Sequence, residues 1–571
     1  MAIISWIIKY SSVLLIATTL GYASGDKPMY YREAWLDLLY YESAGKGYES
    51  LVDNAEFFIT DRGKYDPKDE YDASLQLAKS HDVEFRRRFP LRYKRLCKAH
   101  GLAYKPLVTV RSDIESVQIV YPSRYMGNPA SMFGHLFLIF ESKNGVLDSS
   151  IFHYTAVPDS VNPIQYIIYG LTGGFSGHFS TEPYYKRIKD YNYVEDREVI
   201  YYDLVLSNDQ IDDLQLHAEE LKHAQFDYYF IDENCAFFIA KALNVVLETN
   251  IEMNPLFVSP SQIVNALQAN QALSAYYVRS SLTSRFNQTY QQLSSSQKKQ
   301  TMALFLEEKP SVETIHPESL KAFLYYSEYA INNYSGLVTP VRYNRILAYQ
   351  KLQALQDSAI RHPINKRPDV PKIHSQKISL QNGPSTGLFA SYHPVYYAND
   401  WGLVGTKQLD VAAMRLGYSN AQQAQVNIQL LDIANITPYN KIQGDYSWRM
   451  RSMIGYNRYG FLDQSFDYGV GLTPVMHSMV YGFVGGQLSN YNTMEERVLP
   501  NVSVYPSAGI RWLTPLIGDV LKFDLGYEYR YHQVYLNPSI IGYMRAYSVQ
   551  LGYTYSPSTI NAVLASVSKV F

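Results

Sequence analysis

The chain has 571 residues, a formal net charge of −2 and two cysteines. Near-balanced charge with no nucleic-acid motif excludes a polyanion partner. Two cysteines can make one bridge but no disulfide framework.

In chain order, "MAIISWIIKYSSVLLIATTLGYASGDKP" sets Lys9 before an apolar run and closes it with small residues from Gly21 to Ser24. That is the layout of a secretory signal peptide over residues 1–24, with an N-terminal anchor as the alternative. Either one takes the rest of the chain out of the cytoplasm. No later stretch has about 18 consecutive apolar residues, so no further spanning helix is expected.

Residues 25–105 read as helical. "REAWLDLLYYES" and "KDEYDASLQLAKSHDVEFRRRF" carry apolar residues at three- and four-residue spacing, joined by the turn-rich "FFITDRGKYDPKDE". Residues 106–250 read as mixed. "SVQIVYPS", "GHLFLIFES" and "SSIFHYTAV" are short apolar strands, and Asn144-Gly145 predicts a hairpin between the last two. "LSNDQIDDLQLHAEELKHA" is an amphipathic helix capped by Ser207 or Asn208, and "DENCAFFIAKALNVVL" is a second helix that starts at Asp232–Asn234. Residues 251–377 read as polar helices followed by the Pro- and Lys-rich linker "RHPINKRPDVPKIHSQ".

Residues 378–571 change character. In "LKFDLGYEYRY" the apolar and aromatic residues Leu521, Phe523, Leu525, Tyr527, Tyr529 and Tyr531 alternate with Lys522, Asp524, Gly526, Glu528 and Arg530. "YSWRMRSMIGY", "SMVYGFVGGQLSNY", "RAYSVQLGYTYSP" and "INAVLASVSKVF" repeat the pattern, and the chain ends on Phe571. Charges on one face and aromatics on the other predict an antiparallel transmembrane β-barrel of roughly ten to twelve strands, with a soluble β-domain as the alternative. The 53 tyrosines suit strands and the membrane–water boundary.

The chemistry centres on "FIDENCAFFIAKAL". Cys235 sits at a helix start, where unpaired N–H groups favour a thiolate and can hold an oxyanion. A thiol nucleophile needs an imidazole base. His135, after Gly134 at the head of "HLFLIF", is the first candidate, and His153 on the next strand is the candidate third group. His178 in "GGFSGHFS" reads as an exposed loop residue. No His/Cys cluster has zinc-ligand spacing, and there is no phosphate loop or Gly-x-Ser-x-Gly elbow, so no metal or cofactor is expected.

The runs "NPASMFGHLFLIF", "GGFSGHFSTEPYY", "REVIYYDLVLS" and "YYFIDENCAFFIAKAL" resemble the Lnb N-terminal periplasmic domain family, named for a bacterial lipoprotein N-acyltransferase. The match lies in a Ser-x-x-x-His strand motif, Ser131 to His135, and a later Asn-Cys helix motif, Asn234-Cys235. The order also resembles circularly permuted NlpC-type, papain-like folds, which include lecithin–retinol acyltransferase. The resemblance covers about residues 110–250. It implies an α+β papain-like domain with helical flanking regions, in which Cys235 and His135 are catalytic, His153 assists, and Asn234 and Ser131 support the oxyanion.

The function that follows is thiol acyl transfer or hydrolysis at the outer membrane, with the N-terminal domain in the periplasm. The expected partners are a membrane lipid as donor and a lipoprotein or other amine as acceptor. Two rival readings are a cell-wall peptide amidase and a non-catalytic barrel or assembly protein. The latter requires Cys235 to be dispensable or bridged to Cys97. A porin-like transporter is a fourth reading.

Overall fold

The computed structural model describes residues 28–354 except 124, 126–130, 132–133, 157–162, 248–249, 255–256, 307–310 and 334–337. Beyond these it describes residues 366–367 and thirteen strands between 377 and 570. The signal-peptide segment, the terminal Phe571 and most of the linker lie outside the described residues. Two compact units divide the chain: residues up to 281 with 362–372, and residues 282–361 with those from 373 onward.

The first unit opens with helix α1 (Glu33–Leu38), which is shorter than its apolar spacing predicts. Tyr40 takes a left-handed φ of 59°, and "YESAGKGYES" turns back as a hairpin of β1 (Tyr41–Ala44) and β2 (Gly47–Ser50). The expected long helix is three. α2 (Pro67–Ser80) is capped by Asp66 and stopped by left-handed His81; Asp82 caps α3 (Val83–Arg88); Pro90 opens α4 (Pro90–His100). Arg92 on α4 and Glu70 on α2 form a fully buried ion pair at 2.8 Å.

A seven-stranded antiparallel sheet follows: β3 (Ile114–Pro122), β4 (Phe137–Ser142), β5 (Ser150–Ala156), β6 (Phe175–Pro183), β7 (Val199–Leu204), β8 (Gln225–Tyr228) and β9 (Leu273–Arg279). Its order is β8-β6-β5-β4-β3-β7-β9. The β4–β5 hairpin turns where Asn144-Gly145 places it, and Gly145 takes φ 105°. Helices α5 (Pro163–Thr172) and α6 (Tyr184–Lys189) flank β6. α7 (Asn208–Leu221) starts in a reciprocal capping box of Ser207 and Gln210. α8 (Cys235–Asn244) buries every residue but Lys241 and Asn244. α9 (Pro260–Ala269) leads into β9, which falls where the sequence reads as helix and carries the mixed sheet past residue 250. The tyrosines of "LSAYYVR" explain it: Tyr277 stacks on Tyr201 of β7 at 4.4 Å, the cross-strand packing that favours aromatic residues in sheets. At the far edge, Tyr276 and Arg367 exchange both backbone hydrogen bonds, 2.8 and 2.7 Å, and Lys366 pairs with Asp203 at 2.9 Å.

The second unit contains helices α10 (Leu282–Gln292), α11 (Ser295–Leu306), α12 (Pro317–Asn333) and α13 (Val338–Ala354) around a core that includes Phe286, Phe305, Phe323 and Tyr326. Its strands are β10 (Lys377–Gly383), β11 (Gly387–His393), β12 (Val395–Tyr397), β13 (Thr406–Ser419), β14 (Gln423–Ile436), β15 (Ser447–Tyr456) and β16 (Leu462–Val475). They continue as β17 (Ser478–Ser489), β18 (Asn501–Leu516), β19 (Asp519–Arg530), β20 (Gln533–Met544), β21 (Tyr547–Thr554) and β22 (Ala562–Val570). Each pairs antiparallel with the next from β13 to β22; β22 pairs with β10, β10 with β11, and β11 with β13. The pairings therefore return to their start through twelve of the thirteen strands, with β12 prolonging β11 along β13. Ile378, Leu380, Leu388, Leu416, Val470, Leu551 and Val567 are exposed, whereas Ser379 and Ser568 between them in register are buried. Among the described residues, no helix is long and apolar enough to cross a membrane.

Candidate active site

Cys235 is the first residue of α8 because Asn234 caps the helix. Its Oδ1 accepts the N–H groups of Ala236 (2.9 Å) and Phe237 (3.3 Å). Its Nδ2 donates to the carbonyls of Val258 (2.8 Å) and Phe230 (3.3 Å). The side chain is thus spent on backbone groups and positions the thiol. The apolar run that follows packs onto the sheet, with Phe238 against Tyr154 at 4.3 Å and Phe226 at 4.4 Å. Lys241, the one charge on the helix, pairs with Glu42 at 3.0 Å.

His135 lies just before β4. Gly134 has φ 91°, and a Cβ there would lie 2.6 Å from the Tyr121 ring, so only glycine fits. The Ser131 carbonyl accepts the Gly134 N–H at 3.1 Å, which makes Ser131 part of the turn that aims His135. The next N–H, that of Leu136, reaches the Cys235 sulphur closely enough to pull its thiol down. The two sequence motifs therefore meet through Leu136. Among the described residues no hydrogen bond joins His135 to Cys235.

His153 stands opposite Phe137 across the hairpin, and its ring meets that of His135 edge-on at 6.5 Å. Its Nε2 is 3.0 Å from Glu182 Oε1 and 2.7 Å from Ser180 Oγ. Arg187 holds the same Glu182 oxygen at 2.9 Å. His153 Nδ1 is buried and has no hydrogen-bond partner among the described residues.

Three neighbours of the thiol go unflagged in the sequence. The Tyr228 hydroxyl is close enough to Cys235 that both the backbone N–H and the thiol of that residue act on it. The Tyr191 ring sits 6.3 Å from His135 and stacks on Phe137. Arg197, buried, donates to Pro122 O at 3.0 Å, pairs with Glu195 at 2.9 Å and lies over the Tyr191 ring at 5.0 Å. A buried arginine inside "EDREVIYY" has a weak sequence signal, because Glu195 and Asp196 read as its surface partners. Glu182 is more legible: Ser180 and Glu182 share one face of a strand. His178 lies on β6 opposite Thr155, half-buried, rather than on an exposed loop. Cys97 and Cys235 are both free, which removes the bridge on which the non-catalytic reading leaned.

The electrostatics differ from the thiolate expected at a helix start. Burial pushes the Cys235 thiol up to about 11, against the opposing pull of the Leu136 N–H and the Arg197 charge. A helix terminus contributes only about 0.3–1 kcal/mol, whereas full desolvation moves a group by several pK units, so burial wins. Burial likewise holds His135 well below the usual imidazole range, with His153, Arg197 and Arg187 adding to it. His153 falls to about 4 through burial and Arg187, against Glu182. The short His153–Glu182 contact is therefore a hydrogen bond to a neutral ring, since the cost of desolvating the imidazolium exceeds what the partly exposed carboxylate returns. Burial keeps the Tyr228 hydroxyl protonated. At neutral pH the thiol and both imidazoles are therefore uncharged. Among the described residues no His, Cys, Asp and Glu cluster is arranged to hold a metal.

Residues 103–270 match the model of the Lnb N-terminal periplasmic domain, and residues 27–99 match a domain of unknown function, DUF7843. A search of curated proteins found no match. Two solved porins align with the chain. The NanC porin is 6% identical at a TM-score of 0.25, covering 34% of this chain and 99% of its own. The KdgM porin in complex with disordered oligogalacturonate is 7% identical at 0.24, covering 35% and 98%. Scores of that size do not identify a shared fold. The segment from 103 to 270, which holds both the His135 turn and the Cys235 helix, is the part of the chain that matches the Lnb N-terminal periplasmic domain.

Proposed function

We propose that the protein is a cysteine-dependent acyltransferase or hydrolase of permuted papain-like type. It would be anchored in the outer membrane by its ring of strands, with the Lnb-type domain in the periplasm. The observation that carries the reading is the meeting of Cys235, at the first turn of α8, with the Leu136 N–H directly after His135. Cys235 attacks an ester carbonyl of a membrane lipid as His135 takes the thiol proton. His153, tied to Glu182 and Ser180, supports the imidazole. The Leu136 N–H and the Tyr228 hydroxyl donate to the oxyanion. Asn234 and Ser131 hold the two motifs in place. His135 returns the proton to the leaving alcohol, and an amine, alcohol or water resolves the thioester. A neutral resting pair makes proton transfer part of the attack, as in the Ser–His scheme.

The exposed apolar residues along β10, β11, β13, β16, β21 and β22 support membrane anchoring, because a soluble ring would not display so many. Anchoring in turn favours a phospholipid donor, with a lipoprotein or other amine as acceptor.

The test is intact mass spectrometry of the protein mixed with phospholipid vesicles. A fatty-acyl mass gain that hydroxylamine removes, and that Cys235→Ser and His135→Ala lack, is the expected result. An unmodified wild type whose Cys235 still reacts with a thiol probe would overturn the lipid donor and favour a cell-wall peptide substrate.

A further inference from the structure

Away from the thiol site, the described residues of the strand ring bring together a serine, a histidine and an aspartate. We propose that Ser391, His393 and Asp410 form a second acyl-transfer centre on the inner face of the ring, with Ser391 as nucleophile toward a carboxylic ester.

Ser391 Oγ lies 2.9 Å from His393 Nε2. His393 Nδ1 lies 2.9 and 3.0 Å from the two oxygens of Asp410. An aspartate on Nδ1 fixes the proton there, so Nε2 of a neutral ring accepts, and the Ser391 hydroxyl must donate to it. That directed chain is what activates a serine, and it is recognised by geometry rather than by chain order. Ser391 and His393 share a strand face at i and i+2. That face is opposite the exposed Leu388 and Ala390, so it is the inner one. The Asp410 and His393 side chains are 8% and 12% exposed.

Two more groups on the same face complete the requirements. Ser379 pairs with Ser391 in register, and its hydroxyl lies 2.9 Å from Ser391 Oγ, within reach of an oxyanion formed there. Lys377 pairs with His393 in register and lies on the same face. The centre lies at the start of β10, where Lys377 pairs directly with Val570 at the end of β22. The substrate is therefore an ester that reaches the polar interior, not one presented by lipid on the exposed apolar side.

In the reaction Ser391 Oγ bonds to the carbonyl carbon as its proton passes to His393 Nε2, and Asp410 balances the imidazolium. The ester C–O bond breaks and the alkoxide leaves with that proton. Water, deprotonated by His393, cleaves the acyl-serine to a carboxylic acid and restores Ser391. No oxidant or other reactant is needed.

The experiment uses the full chain in detergent, carrying Cys235→Ala so that the thiol site contributes nothing. The probes are an alkyl fluorophosphonate, with the labelled peptide mapped, and p-nitrophenyl butyrate. Fluoride displacement should place the phosphonyl group on Ser391. His393→Ala and His393→Gln should slow labelling at least about 100-fold, and Ser391→Ala should lower butyrate hydrolysis as much. No label, or label on Ser379 or elsewhere, overturns the proposal without any need for a variant to fold. Label on Ser391 that persists at the same rate in His393→Gln overturns the relay. Neither outcome bears on acyl transfer at Cys235.

Discussion

At the scale of single residues, the site depends on what burial does to ionisable groups. A thiol held near 11 should be alkylated by iodoacetamide at a rate that climbs about tenfold per pH unit from 7 to 10. A plateau reached by pH 8 would contradict that. Cys235→Ala should lower acyl transfer by at least about 10⁴-fold, as loss of a nucleophile does elsewhere, read from steady-state kinetics. His153 predicts the acid limit of stability. Its folded value of about 4 lies below the ordinary 6.5, so the unfolded chain binds the extra proton between those values. Stability is complete above about pH 6.5 and falls as pH drops toward 4, by roughly 3 kcal/mol for this one buried ring. His135 shifts in the same direction and deepens the loss. Thermal melting at pH 7.5 and pH 5 reads it, and His153→Phe should flatten the difference.

At the scale of elements, two short features set the geometry. Replacing Asn234 with Ala removes a cap and leaves the Val258 carbonyl and the Ala236 N–H buried without partners. A loss of about 2–4 kcal/mol in urea unfolding is expected. Gly134→Ala must strain a left-handed backbone and press on the Tyr121 ring 2.6 Å away, so the His135 turn should reorganise and both melting temperature and activity should fall. Much of this was legible in the residues. The cap at Ser207 or Asn208, Asn144-Gly145 and Asn234-Cys235 are local signals, and each marks a turn or helix start; Ser207 is the residue that caps. The β1–β2 hairpin and β9 were less legible. Their apolar residues fit helical spacing as well as strand alternation, and distant partners decide between the two, Tyr201 for Tyr277 among them. The thiolate was misjudged for a related reason: a helix start is visible in sequence, but the depth at which it is buried is not. Arg197 and Tyr228 reach Cys235 only through the fold.

At the scale of the whole molecule, Arg367 is the point to test. Arg367→Pro removes the N–H that bonds Tyr276 and should open the chain at Lys366 and Arg367 to limited proteolysis, with cleavage there at least about tenfold faster than in the wild type. The alternating stretches anticipated the strands of the second unit, since a period of two persists along "YSWRMRSMIGY" and its repeats. They did not anticipate that the linker returns to the first unit. The chain passes between its two units three times, near residues 281, 361 and 372. One nick in the linker would therefore not part them along the line that their contacts draw. The four helices of the second unit would stay covalently on the thiol-bearing fragment, while the strands they are grouped with would be on the other. A single cut yields two pieces that each hold part of one body, so separation would require that body to come apart as well.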